Sequence, residues 1–169
     1  MSYNIKAWES FALGHVGASA ALLGLVFVGI SINLRDIVGS GRLVHRAAEA
    51  VALLGAVLVT ATVVLIPGQR RGVLSTELIV TAVALFAVVF FFQRDAANQP
   101  ADPPTTGPPP VGLAVRRVLG LGTPVVIAIT GLTLAAEVGG GLYWWPVAVL
   151  AAYVGALLNA WILLIEILR

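Results

Sequence analysis

From Phe11 to Leu34 the chain runs for 24 residues without a formal charge, bounded by Glu9 and Arg35. As a helix at about 1.5 Å per residue this stretch is about 36 Å long. The hydrocarbon core of a bilayer is about 30 Å thick, so the run is long enough to cross it. Four more apolar stretches follow, over 47–66, 73–92, 118–136 and 143–168. Hydrophobic residues make up 59% of the 169-residue chain and charged residues 11%, against about a quarter charged in a soluble domain. A soluble fold of this length has too little core to hide that much apolar surface. The pattern predicts an all-α polytopic membrane bundle with five transmembrane helices, four being the alternative.

The breaks between the runs are chemically distinct. Arg35 to Arg46 reads as a polar loop around Gly39-Ser40-Gly41, and Pro67-Gly68 reads as a helix stop followed by a tight turn. Gln93-Arg94-Asp95 ends the third run. Six prolines between Asn98 and Pro110 exclude helix and sheet there and predict an extended linker. The chain thus divides into a three-helix part (1–97), a Pro-rich linker (98–112) and a two-helix part (113–169). The fourth run is interrupted on paper by Gly122-Thr123-Pro124 and ends at Glu137 and Gly139-Gly140-Gly141. Ala18-Ser19-Ala20 resembles a signal-cleavage site, but the apolar run continues past it, so the first helix is expected to be retained.

Charge sets the expected orientation. Counting Lys and Arg on alternate sides gives Lys6, Arg70 and Arg71 against Arg35, Arg42, Arg46, Arg94, Arg116, Arg117 and Arg169. Positive charge accumulates on the cytoplasmic side. The N-terminus is therefore expected outside, with the C-terminus and the linker in the cytoplasm and Tyr143-Trp144-Trp145 as an outer interfacial anchor. Nine of the ten basic residues are Arg, a bias that suits a GC-rich bacterial genome. The bases are spread over loops, so no nucleic-acid face is expected.

Small residues recur on helix faces. Gly14, Gly17, Ala18, Ala21, Gly24 and Val28 follow at steps of three and four on the first helix, and Ala148, Ala152, Gly155 and Asn159 do so on the fifth. Such stripes let helices approach closely in lipid, either within one bundle or between molecules. The ionisable residues group by depth. Asn33, Arg35, Asp36, Arg46 and Glu49 form a polar cluster expected at the cytoplasmic end. Glu49 and Glu77, near helix starts, suit capping or pairing roles. His15, Glu77 and Glu137 share the outer leaflet, where they form a candidate cation or proton site.

At mid-membrane depth the polar residues are Thr60, Thr62, Thr81, Thr130 and Thr133, each able to bond to its own helix backbone. Pumps and coupled transporters place charges or broken helices at that depth. The chain has no cysteine, which excludes disulfides, thiolate nucleophiles and Cys-ligated metals. No catalytic, cofactor-binding or metal-binding motif is present, and the expectation is a non-enzyme without a cofactor.

The stretch Gly17-Ala18-Ser19-Ala20-Ala21-Leu22-Leu23-Gly24-Leu25-Val26-Phe27-Val28-Gly29-Ile30-Ser31-Ile32-Asn33-Leu34 is followed by Arg46-Ala47-Ala48-Glu49 and by Leu65-Ile66-Pro67-Gly68-Gln69. Together they resemble a group of small actinobacterial multi-pass membrane proteins labelled modulators of the FtsH protease. The likeness covers the first three helices, about half the chain. It implies a bacterial inner-membrane protein that regulates an FtsH-type membrane protease through helix–helix contacts, as a homo-oligomer or within a larger membrane complex. The alternatives left open by the residues are a homo-oligomeric ion channel or small-solute pore and a cation-coupled carrier.

Overall fold

The computed structural model describes residues 4–98 and 110–167. Among them there is no strand, and six α-helices carry the fold: α1 (Glu9–Ile32), α2 (Leu34–Gly39), α3 (Gly41–Val64), α4 (Arg71–Asn98), α5 (Pro110–Ala136) and α6 (Trp145–Ile167). Short 3-10 turns precede α1 (Ile5–Trp8) and α6 (Gly141–Trp144). Five helices are long and apolar enough to cross a membrane: all but the six-residue α2. The chain is an all-α polytopic membrane bundle.

The helices outrun the apolar stretches. Residues 35–46 are not an open loop: α2 takes up 35–39, and α3 starts at Gly41 after a single extended residue, Ser40. Beyond the hydrocarbon nothing penalises a charged helix, so the ladder continues until a backbone breaker stops it. Asn33 is one such breaker, turning its side-chain amide back onto the Gly29 carbonyl (3.0 Å). α4 likewise runs through Gln93, Arg94 and Asp95. α5 begins at Pro110, where the missing N–H has no carbonyl to meet, so the last residues of the predicted linker are helical. Residues 99–109 of that linker, and Arg169, lie outside the described residues.

The expected break at Gly122-Thr123-Pro124 does not occur. α5 is continuous with Pro124 inside it, and the neighbouring Thr123 hydroxyl donates to the Leu119 carbonyl (2.8 Å). Packing against neighbouring helices lets membrane helices tolerate a proline inside the span. The ends after α3 and α5 do need special backbone. Gly68 and the three glycines 139–141 have positive φ, and Glu137 (φ 55°) is the single described non-glycine that does. With the Val138 N–H on the Thr133 carbonyl (3.3 Å), Glu137 occupies the left-handed position of a Schellman stop.

α3 is the axis of the bundle. Of its most apolar 18 residues 56% are buried, whereas the corresponding window of α1 is 11% buried. α1, α4 and α6 all pack on α3, and α5 closes the ring between α4 and α6. The three-helix and two-helix parts therefore form one bundle. Leu53, Leu54, Leu74, Leu78, Leu134 and Trp145 form its core. α4 and α5 approach closely at Gly131, where a Cβ would lie 2.8 Å from Ile79 Cγ1 and 3.0 Å from the Ser75 carbonyl oxygen. The buried Ser75 hydroxyl donates to the Gly131 carbonyl there (2.7 Å). Absence of a side chain thus permits the backbone approach that a lipid-embedded pair needs.

Candidate functional site

The two ends of the bundle differ in chemistry. At the arginine-rich end, reached by the C-termini of α1 and α4, a charge network joins three helices. Glu49, two turns into α3, is fully buried. Its Oε1 accepts from Gln93 Nε2 of α4 (2.8 Å), and its Oε2 accepts from Arg116 Nε of α5 (2.7 Å). Arg116 Nη2 lies 2.5 Å from the same oxygen. Gly120 sits beside the pair, and a Cβ there would fall 2.5 Å from Glu49 Oε1 and against the Gln93 amide. A charge this deep persists only when paired and hydrogen-bonded, and both carboxylate oxygens are occupied. The network fastens α3, α4 and α5 at one depth.

A second polar link lies on the same end. His45 Nε2 is 2.7 Å from Asp95 Oδ2, and its Nδ1 is 2.5 Å from the Gly41 carbonyl oxygen. A ring protonated on both nitrogens satisfies both acceptors, whereas a neutral ring donates to one. Of the predicted cytoplasmic-end cluster, the structure buries Arg46 and Glu49, three residues apart on α3. Arg35 and Asp36 point outward from α2, and Asn33 is engaged with its own helix. The partners of Glu49 are Gln93 and Arg116, which the sequence pattern does not assign to it.

The aromatic end is held differently. Phe11 and His15 of α1 pack against Trp145, and His15 Nδ1 lies 3.0 Å from the Tyr153 hydroxyl of α6. Trp145 is fully buried and donates from Nε1 to the Thr60 hydroxyl (3.2 Å). It is a core residue and not part of an interfacial belt; Tyr143 and Trp144 remain exposed. The three groups of the candidate outer cation site each have a separate partner. His15 has Tyr153, Glu77 takes a hydrogen bond from Gln69, and Glu137 pairs with Arg71 (2.9 Å). Among the described residues no group of three or more His, Cys, Asp or Glu could hold a metal ion.

The two small-residue stripes have opposite fates. Ala148, Ala152, Gly155 and Asn159 are all buried, and a Cβ on Gly155 would sit 3.1 Å from Leu53 Cδ1. That stripe seats α6 on α3. On α1, Gly14, Gly17, Ala18, Ala21 and Gly24 are exposed, and Cβ atoms on the three glycines would meet nothing within 4 Å. Ala12 and Ser19 are the buried residues of α1, so this helix turns its small face away from the bundle. All five mid-depth threonines donate to carbonyls of their own helices at 2.7–2.8 Å. No family model matches the chain, and no curated protein or solved structure matches it.

Proposed function

We propose that this protein is a non-enzymatic accessory or regulatory membrane protein that binds other membrane proteins laterally through α1. The outward small-residue face of α1 carries the reading. Lipid gives helices no hydrophobic reason to associate, so close backbone approach across glycine and alanine supplies much of the contact energy. The matching stripe of α6 is already used inside the bundle, whereas Gly14, Gly17 and Gly24 stand open. The resemblance of the first three helices makes an FtsH-type protease of the bacterial cytoplasmic membrane the candidate partner. The positive-inside count supports an arginine-rich end in the cytoplasm and an N-terminus outside. The mid-depth hydroxyls are spent on their own backbones, which favours this reading over a carrier.

The test is co-purification in mild detergent. Gly24→Leu should abolish recovery of the partner while leaving the thermal midpoint of the isolated protein unchanged, since a Cβ at that position touches nothing. Unchanged recovery of the same partner with the variant would remove α1 from the interface. A discrete homo-oligomer that conducts ions in liposomes would replace the accessory reading with the channel.

A further inference from the structure

α1 is apolar on every side. Val16, Leu22 and Val26 pack partly against the core, while Leu13, Leu25, Phe27 and Val28 are exposed. In water an amphipathic helix turns its apolar face inward, but lipid is as apolar as leucine and gives α1 no preferred face. Something else selects the rotation observed, with Ala12 and Ser19 inward and Gly14, Gly17, Ala21 and Gly24 outward. These two sets lie on opposite sides of the helix, since residues two apart differ by about 200°.

The polar groups of α1 show where the selection is made. Ser19, Ser31 and Asn33 donate to carbonyls of α1 itself, those of His15, Phe27 and Gly29. His15 reaches another helix. Its Nδ1 lies 3.0 Å from the Tyr153 hydroxyl of α6, a hydrogen bond in either tautomer. The ring is also steered by Phe11, edge-on at 4.2 Å, and by Trp145 at 6.5 Å. Trp145 is a fixed wall, fully buried and donating to the Thr60 hydroxyl. We infer that His15 and Tyr153 are positioning residues: their hydrogen bond sets the rotation of α1 and so holds its small-residue face outward. Turning α1 by one residue, about 100°, sweeps a side chain about 5 Å from the axis through about 8 Å, which breaks the bond. This role of His15 needs no cation. Its consequence for partner binding rests on the reading above; the rotation itself does not.

Spin labels on the cysteine-free full chain, at Gly17→Cys of α1 and Val80→Cys of α4, read the rotation as a distance by pulsed electron resonance. Both positions are exposed, and a Cβ at Gly17 meets nothing within 4 Å. The parent should give one dominant distance. Tyr153→Phe deletes one oxygen and should raise the ratio of a second distance to the first about threefold. His15→Leu also removes the ring contacts and should raise it about tenfold. His15→Asn keeps a hydrogen-bonding group in place of Nδ1 and should stay close to the parent; a space-filling role would reverse the order of Asn and Leu. Parent distances in both Tyr153→Phe and His15→Leu would overturn the assignment, as would an Asn variant rotated as far as the Leu variant. A second distance with undiminished partner recovery would uphold the rotation and sink the lateral-binding reading instead.

Discussion

Replacing Glu49 with Gln removes one charge from the network and almost no volume, leaving Arg116 with a side chain only 13% exposed and no anion against it. Breaking a buried pair from one side costs about 3–5 kcal/mol. Two effects pull the value toward the lower limit. The Arg116 stem can carry its head toward the interface, and the unfolded state of a membrane bundle keeps helices that find other partners. The expected loss is about 3 kcal/mol, a shift of about 150-fold in the folding equilibrium. Arg116→Met should cost at least as much, because Glu49 is fully buried and would keep only Gln93. Glu49→Leu combined with Arg116→Met removes both charges, and an apolar replacement of a buried pair is often neutral. The stranded Gln93 amide leaves a net cost of about 1 kcal/mol. The double variant should therefore be more stable than either single one. Unfolding in mixed micelles titrated with dodecyl sulfate, followed by fluorescence of the four tryptophans, measures all three. Single variants within about 0.5 kcal/mol of the wild type would show that the pair does not fasten the helices.

Gly131→Ala should destabilise the bundle by about 1–3 kcal/mol through overpacking, because its Cβ meets the Ser75 backbone, while Gly24→Ala should change stability by less than about 0.5 kcal/mol; the same unfolding titration compares them. The cysteine-free chain also permits a direct test of orientation with a membrane-impermeant thiol reagent. Asp36→Cys should react only from the cytoplasmic side and Val138→Cys only from outside, and the opposite pattern would invert the topology.

The five spans were legible because a long run free of charge has few other solutions. The helix ends were not, since hydropathy records where lipid stops and not where the hydrogen-bond ladder stops. Residues 35–39, 41–46 and 93–98 lie in polar segments and are helical at once. Pro124 misled for a related reason, because a membrane helix is carried through a local breaker by the packing of its neighbours. Glu49 was visible as a suspect, but its partners lie 44 and 67 residues away, beyond any helical spacing. A signal existed in depth: Glu49, Gln93 and Arg116 each fall within a few turns of the same end of the bundle. The stripes of α1 and α6 look alike in sequence, and only the packing shows which one is occupied.

The span between Glu49 and its arginine also bears on biogenesis. A ribosome that has delivered α1, α3 and α4 to the membrane has not yet made Arg116. During that interval a carboxylate sits two turns inside a helix whose natural counter-charge lies beyond the proline-rich segment still being translated. Completion of the network is thus a late event of synthesis, and chains interrupted before α5 display an unmatched acid inside the membrane. That difference separates finished from unfinished molecules by a single side chain.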